Sequence, residues 1–272
     1  MKKDFTHIVA LLDKSGSMQS VLADTIGGFN TFLEEQKKVP GEATITLAQF
    51  SGGYEVSYAD VPLAHVAHLT AETYVPSGWT ALNDALAKTI TDVGTKLAAK
   101  KEDERPSKVI VLIMTDGQEN SSKEFVGQAG LQKLNEMVTH QKAKYSWDFV
   151  FVGANIDSFA AASTYGIPLT YTINYSSTGI GSANAFKSVS RGMTAARMTT
   201  SAGGTLGNFF ENEANTVSIS DATLDSMDIS ETIKKYAGDA TVTPPTSTGT
   251  LVVDTVTSDP QKQTTTTSDS VK

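Results

Sequence analysis

The sequence predicts a doubly wound α/β domain, in which helices cover both faces of a mainly parallel sheet with one antiparallel edge strand. Apolar runs alternate along the chain with segments of helical periodicity, which is typical of parallel strands joined by crossover helices. The strongest runs are continuously apolar, as in strands that are buried on both faces. One pair of runs is separated only by a short glycine turn, which indicates an antiparallel hairpin.

The first half of the chain supplies three predicted strands and two helices. The apolar run 7–12 is the first strand, and the apolar residues after it recur at helical spacing from Met18 until the sequence VPGE ends the helix. The runs 43–50 and 54–61 flank the turn SGG and form the predicted hairpin. A second helix is predicted over 81–99, where five apolar residues share one face: Leu82, Leu86, Ile90, Val93 and Leu97.

The second half of the chain continues the alternation. The run KVIVLIM at 108–114 is the most hydrophobic in the sequence and is predicted to be a central strand. A polar helix is expected at about 123–144, before a strand at 147–155. A short helix near 157–165, a weak strand at 169–173 and a helix near 182–198 follow in that order, which gives six strands in total.

The sequence signals weaken beyond residue 200. Residues 1–200 are predicted to form the α/β domain, and residues 201–239 a poorly defined acidic extension that includes a possible short helix at 228–238. Residues 240–272 are rich in Thr, Ser and Pro and almost lack aromatic residues, so we expect them to be disordered. Within this tail, TLVVDTV at 250–256 alternates weakly and is compatible with an added edge strand.

Charge and composition exclude several classes of protein. The net charge of −8 argues against nucleic acid as a partner, because phosphate backbones require clustered Lys and Arg. The absence of cysteine excludes disulfides and thiolate metal sites. The apolar run near the start is too short for a signal peptide, and no stretch approaches the roughly 20 apolar residues of a membrane span. We therefore expect a cytoplasmic protein that binds neither nucleic acid nor a membrane.

Two predicted strands end in polar, acidic loops. The first strand ends in DKSGSM, with oxygen-bearing side chains at the alternate positions Asp13, Ser15 and Ser17. The fourth strand ends in TDG, which contains Asp116, and the segment SGWTAL places Thr80 just before a helix. Ligands of open α/β sheets bind beyond the carboxyl ends of the strands. If the first and fourth strands are neighbours, these five side chains converge on one point.

Five oxygen-bearing side chains without a nearby His or Cys describe a site for a hard cation, Mg²⁺ or Mn²⁺ before Zn²⁺. Gly16 relaxes the backbone between the two serines, so that one tight loop can offer both hydroxyls. Neutral hydroxyl ligands would leave the metal with much of its positive charge. Such a metal would still attract a carboxylate from outside, which indicates partner binding without a need for catalysis.

The pattern D-x-S-x-S over residues 13–17, together with Thr80 and Asp116 in order, resembles the metal-ion-dependent adhesion site (MIDAS) of von Willebrand factor A domains. The resemblance covers roughly residues 5–175, and in its style the chain is similar to small stand-alone members from bacteria and phages. It implies a Rossmann-like sheet in the order 3-2-1-4-5-6. It also implies that Ser15, Ser17 and Thr80 contact the metal directly, with Asp13 and Asp116 acting through water.

Other residues carry weaker signals. Trp79, beside Thr80, is either a core residue or a partner contact at the rim of the site, and Glu119 and Asn120 follow the TDG loop closely enough to shape the same rim. The four histidines are scattered and are expected to be structural or exposed rather than metal ligands. Three basic residues on the last predicted helix are expected on a solvated face: Lys187, Arg191 and Arg197.

Two other classes of function are weighed against a metal-dependent binding module. A phosphoryl-transfer enzyme of the haloacid dehalogenase type needs a second acid two residues after Asp13, where this chain has Ser15, and no P-loop sequence occurs. A structural or assembly component, for example of a phage particle, stays open. We expect no enzymatic activity, and a protein partner that presents an Asp or Glu to the metal.

Overall fold

The structure, a computed structural model, describes residues 1–154, 157–176 and 178–210. The strands are β1 (Lys2–Asp13), β2 (Glu42–Phe50), β3 (Tyr54–Pro62), β4 (Pro106–Thr115), β5 (Asp148–Ala154) and β6 (Thr172–Tyr175). The α-helices are α1 (Leu22–Lys38), α2 (Leu82–Ala99), α3 (Gly127–Tyr145), α4 (Ser158–Thr164) and α5 (Gly179–Ser201). Expectations for residues 211–272, including the possible helix at 228–238 and strand at 250–256, lie outside the described residues.

The six strands form one sheet in the order β3-β2-β1-β4-β5-β6. Every neighbouring pair is parallel except β2 with β3, which form the antiparallel edge. The predicted fold class, strand order and edge hairpin are therefore confirmed. Since β1 lies between β2 and β4, the chain winds outward in both directions from the centre of the sheet. The carboxyl ends of β1 and β4 border this switch point, where open α/β sheets bind ligands.

The centre of the sheet is buried on both faces, as the continuous apolar runs predict. Residues 8–12 of β1 and 110–114 of β4 are at most 1% exposed. The helices pack in pairs, α1 with α5 and α2 with α3. Removing this much apolar surface from water is the main favourable contribution to folding, at about 25 cal/mol for each Å². The rigid centre of the sheet fixes the two loops that follow β1 and β4.

Two helices begin later than the sequence predicts. A 3₁₀ turn at Gly16–Val21 precedes α1, because the chain must first turn over the end of β1. Helix α3 begins at Gly127 rather than near 123, since the preceding segment is held against α2. There the Asp84 carboxylate accepts hydrogen bonds from the backbone amides of residues 123, 124 and 125. These three amides bond to Asp84 and not to helical carbonyls, so the helix begins after them.

The basic residues of α5 correct an expectation from the sequence. Arg191 and Arg197 are only 7% and 2% exposed, so their predicted solvated face is wrong. The Arg197 guanidinium donates to the backbone carbonyls of Gln36, Val39 and Gly41 at 2.6, 3.2 and 3.3 Å. The Gln36 carbonyl lies in the last turn of α1, where it also accepts from the Val39 amide at 3.4 Å, and the carbonyls of Val39 and Gly41 follow the end of the helix. Arg197 therefore caps one helix from another, and burial lowers its pKa to about 10.

The described chain stays packed as far as Phe210. The rings of Phe209 and Phe210 are 1% exposed, and the Phe209 ring lies 5.8 Å from the ring of Tyr171. Their backbone amides both donate to the carbonyl of Thr170. Among the described residues, no helix combines the length and the hydropathy needed to cross a membrane.

His7 is buried within the sheet, whereas the other three histidines are exposed. Its ring nitrogens lie 2.8 Å from Thr44 Oγ1 and 3.1 Å from Thr46 Oγ1. Burial lowers the pKa of His7 to about 4, although Asp60 opposes the shift, while Lys100 and Lys96 add to it. Below its unfolded pKa of 6.5, the unfolded chain therefore binds a proton that the folded chain excludes until about pH 4.

We expect the stability contributed by neutral His7 to be present above pH 6.5 and to be lost as the pH falls to 4. The loss should be about 3 kcal/mol, since each pKa unit corresponds to about 1.4 kcal/mol. Urea unfolding of the wild type and of His7→Gln at several pH values measures it, because the difference between the two isolates this residue. A constant difference across pH 4 to 6.5 would contradict the prediction.

Candidate metal centre

The five predicted ligand residues come from three segments that meet at the carboxyl ends of β1 and β4. Asp13 ends β1, Ser15 and Ser17 lie in the turn after it, and Asp116 follows β4. Ser15 Oγ lies 3.1 Å from Ser17 Oγ, and Ser17 Oγ donates to Asp116 Oδ1 at 2.6 Å. The two loops are thus joined directly through side-chain oxygens.

Asp13 is fixed from both of its carboxylate oxygens. Oδ1 accepts a hydrogen bond from the backbone amide of Ser15 at 2.7 Å, and Oδ2 accepts one from Thr115 Oγ1 at 2.6 Å. The residue is 0% exposed. These hydrogen bonds from Ser15 and Thr115 therefore orient the carboxylate.

Thr80 reaches the centre from the long segment between β3 and α2. A Cβ placed on Gly117 would lie 3.3 Å from Thr80 Oγ1 and 3.7 Å from Ser17 Oγ, so both hydroxyls line the space beside that glycine. The backbone of Thr80 is held by Asn120. Asn120 Oδ1 accepts from the Thr80 amide at 2.9 Å, and the Asn120 amide donates to the Thr80 carbonyl at 3.0 Å.

The electrostatics of the centre are unfavourable without a positive charge. Burial raises the pKa of Asp13 to about 6, against the lowering effect of its hydrogen bonds from Thr115 and Ser15, and the nearby Asp116 raises it further. Burial also raises the pKa of Asp116. Asp116 Oδ2 is buried and has no hydrogen-bond partner among the described residues. A buried acceptor without a donor costs roughly 1–3 kcal/mol.

These residues fit a hard divalent cation. They offer two carboxylates and three hydroxyls, which are the oxygen ligands that Mg²⁺ and Mn²⁺ prefer. A cation would satisfy the unpaired Asp116 Oδ2 and offset the repulsion between two buried acids. Within the described ranges no three His, Cys, Asp or Glu side chains gather into a metal site, so a cation here depends on the hydroxyls.

The three predicted rim residues occupy different surroundings. Trp79 is 71% exposed, so the alternative that it packs in the core is wrong. The Glu119 carboxylate accepts hydrogen bonds from the backbone amides of Asn83, Ser121 and Ser122 at 2.7–2.9 Å. Together with Asn120, it therefore builds the loop that supports Thr80. Contact of any of the three with a partner stays a prediction.

Sequence reasoning missed two residues that shape the centre. Thr115 orients Asp13, and its position directly before Asp116 was a signal for that role. Tyr74 is 0% exposed, and its hydroxyl donates to the backbone carbonyl of Asp13 at 2.5 Å. Tyr74 belongs to the same segment as Thr80, so this bond ties that segment to the end of β1. No local pattern around Tyr74 points to this contact.

We expect Tyr74→Phe to weaken metal binding several-fold, because it removes the bond to the Asp13 carbonyl while keeping the buried ring. The hydroxyl bond contributes about 1 kcal/mol to stability, so the fold should persist. Calorimetric Mg²⁺ titration measures the affinity, and thermal unfolding in chelator measures the fold. Tyr145→Phe, at an exposed position at the end of α3, is the control. Equal Mg²⁺ affinity in all three proteins would contradict this role.

Three solved structures align with this fold at low sequence identity. Mussel byssus proximal thread matrix protein 1, with a zinc-occupied MIDAS motif, aligns at TM-score 0.47 and 14% identity over 69% of this chain and 45% of that one. The manganese-loaded TRAP protein of Plasmodium vivax aligns at TM-score 0.47 and 14% identity, over 65% of this chain and 70% of that one. A von Willebrand factor type A protein from Catenulispora acidiphila aligns at TM-score 0.46 and 16% identity, over 73% of this chain and 43% of that one.

Similarities this remote say nothing about function, and the chain spans less than half the length of the mussel and Catenulispora proteins. No family model and no curated protein matches the sequence. The sheet order and its antiparallel edge are nevertheless those that the resemblance to von Willebrand factor A domains implies. The resemblance is therefore confirmed at the level of the fold.

Proposed function

We propose that the chain is a protein-binding module that depends on a divalent cation. The cation is held by Asp13, Ser15, Ser17, Thr80 and Asp116, and is Mg²⁺ or Mn²⁺. When bound, it supplies an electrophilic position that can accept a carboxylate of a partner protein. The single observation that carries the proposal is the buried, unpaired Asp116 Oδ2 beside a second buried carboxylate, in a cluster otherwise made of hydroxyls.

In this proposal the carboxylates and the hydroxyls of the site have different roles. Asp13 and Asp116 compensate the charge of the cation, and the three hydroxyls complete its surroundings without adding negative charge. Ser17 is exposed whereas the other four residues are buried, so a partner would approach from the side of Ser17. We propose no enzymatic step, and the expected cytoplasmic location, or a place in a phage particle, stays a prediction.

Tryptophan fluorescence offers a direct test of cation binding. The chain contains two tryptophans: Trp79, exposed beside Thr80, and Trp147, 4% exposed before β5 at the other end of the sheet. Paramagnetic Mn²⁺ quenches a nearby indole, so titration with Mn²⁺ should quench the emission of Trp79. Excess Mg²⁺ should reverse the quenching by competition.

Three variants show which indole is quenched and where the ion binds. Trp79→Phe should lose the quenching, whereas Trp147→Phe should keep it, because only Trp79 adjoins the proposed site. Asp116→Asn should abolish the quenching both in the otherwise wild-type chain and in the Trp147→Phe background. Quenching that persists unchanged in Asp116→Asn would place the ion elsewhere and overturn the proposed site. Assembly of the chain with itself that is indifferent to metal and chelator would instead favour a structural role.

A further inference from the structure

Trp79 is an exposed indole directly beside a proposed metal ligand. Trp79 is 71% exposed, whereas the adjacent Thr80 is 3% exposed. The indole therefore lies at the surface directly beside the buried centre. Val75 in the same segment is 54% exposed. Tryptophan is among the residues most enriched at the energetic centres of protein interfaces, because its large ring buries much apolar area on contact.

The backbone beneath Trp79 is held in place. The Ser77 amide donates to the Lys14 carbonyl at 2.8 Å, and the Gly16 amide donates to the Gly78 carbonyl at 3.0 Å. Gly78 adopts φ +77°, a conformation that glycine accepts without strain. The segment that carries Trp79 is thereby bonded on one side to the turn of Ser15 and Ser17. A pre-ordered backbone lowers the entropic cost of binding at this position.

The surface around Trp79 offers little steric obstruction. Gly52 and Gly53 form the tip of the β2–β3 hairpin, and a Cβ placed on either would meet nothing within 4 Å. The tip borders the Trp79 segment, since a Cβ on Gly78 would lie 3.9 Å from the Gly52 amide nitrogen. At Gly52 and Gly53 the hairpin tip therefore has no side chain that a partner would have to displace.

Two acidic side chains around the centre are held by hydrogen bonds from backbone amides. Backbone amides of three residues donate to Glu119, and those of three others donate to Asp84. On the other side, Lys14 Nζ pairs with Glu55 at 2.7 Å. These amide bonds leave the negative charges in place, so the attraction of a partner carboxylate rests on the cation, while salt screens the net charge of −8 over longer distances.

We propose that the partner presents a composite motif, in which an Asp or Glu faces the metal and an apolar side chain one or two residues away covers Trp79. This rests on the proposed function, because the carboxylate is placed by the cation, and it adds the second contact. The indole would select among acidic partners, since many proteins expose an isolated carboxylate but few expose one flanked by a suitably placed apolar side chain.

Selection from a displayed library of random heptapeptides tests the motif. The target is the full chain with Mg²⁺, with parallel selections in chelator, on Trp79→Ser, and on Leu169→Ser, an exposed apolar control near the other end of the sheet. We expect Asp or Glu with an apolar neighbour to be enriched on the wild type and on Leu169→Ser. On Trp79→Ser the acidic residue should persist while the apolar preference is lost, and resynthesised peptides should bind about tenfold more weakly.

The outcomes separate the two proposals. Enrichment of acidic peptides that depends on Mg²⁺ but shows no apolar preference, or the same preference on Trp79→Ser, would overturn the composite motif and leave the metal-dependent function standing. Failure of the Mn²⁺ fluorescence titration would overturn the proposed function itself. Apolar peptides enriched equally in Mg²⁺ and chelator would show that Trp79 binds partners without the cation, which also contradicts the motif.

Discussion

Asp13→Asn should abolish binding of Mg²⁺ and, at the same time, stabilise the metal-free fold. The wild-type chain should gain about 2.7 kcal/mol from Mg²⁺ at one hundred times its dissociation constant, and the variant should gain nothing. In chelator at neutral pH the variant should instead be more stable than the wild type. There the wild type buries two neighbouring carboxylates, and neutralising Asp13 removes a destabilisation of about 1–3 kcal/mol.

The asparagine can keep the local hydrogen bonds, which is why the fold should survive. Its carbonyl oxygen can accept from the Ser15 amide as Oδ1 does now. Its amide would face Thr115 Oγ1, which now donates to Oδ2. The Thr115 hydroxyl can turn to donate to the Gly117 carbonyl, 3.1 Å away, and accept from the new amide. Each of the two hydrogen bonds now made by the Asp13 carboxylate then has a replacement.

Thermal unfolding with Mg²⁺ and with chelator measures both effects. A change of 1 kcal/mol shifts the melting temperature by about 2–4 °C for a domain of this size. Asp103→Asn carries the same charge change at an exposed position and serves as the control. A variant that still gains stability from Mg²⁺ would exclude Asp13 as a ligand. A variant that melts lower than the wild type in chelator would show that Asp13 stabilises the fold instead.

The fold and the composition of the centre could be predicted because both depend on local sequence. Continuous apolar runs report burial on both faces, and the loops DKSGSM and TDG follow those runs directly. Asp13 and Asp116 therefore fall at strand ends whatever the details of packing. Local sequence does not show that the first and fourth strands are adjacent in the sheet. The resemblance to von Willebrand factor A domains implied that adjacency, and the structure has it.

The remaining features depend on contacts between distant residues. Arg197 caps a helix 158 residues earlier in the chain, and Tyr74 bonds to a carbonyl 61 residues away. A basic residue on an amphipathic helix looks alike in sequence whether it faces water or the end of another helix. The exposure of Trp79 could not be predicted from the sequence either. The surrounding glycine, serine and proline residues allow backbone conformations that direct the ring toward the core or toward solvent.

Thr80→Ala should lower the affinity for Mg²⁺ by about 10- to 100-fold, which corresponds to about 1.4–2.8 kcal/mol. The variant removes one oxygen that lines the centre and changes no charge. The backbone at this position should stay in place, because the Thr80 carbonyl accepts from the amides of Asn120 and Ser121, and the Thr80 amide donates to Asn120 Oδ1. Loss of a displayed acidic peptide should follow the loss of the cation.

Thr80→Ser separates the hydroxyl from the methyl group. The side chain of Thr80 is buried, so either variant loses the packing of one methyl, worth about 1 kcal/mol. Both should therefore melt slightly lower than the wild type in chelator. Only Thr80→Ala should lose Mg²⁺ affinity, since serine keeps the oxygen, and Thr91→Ala on the exposed face of α2 should lose neither. If serine and alanine weakened Mg²⁺ binding equally, packing of the methyl would set the affinity and the hydroxyl would have no part as a ligand.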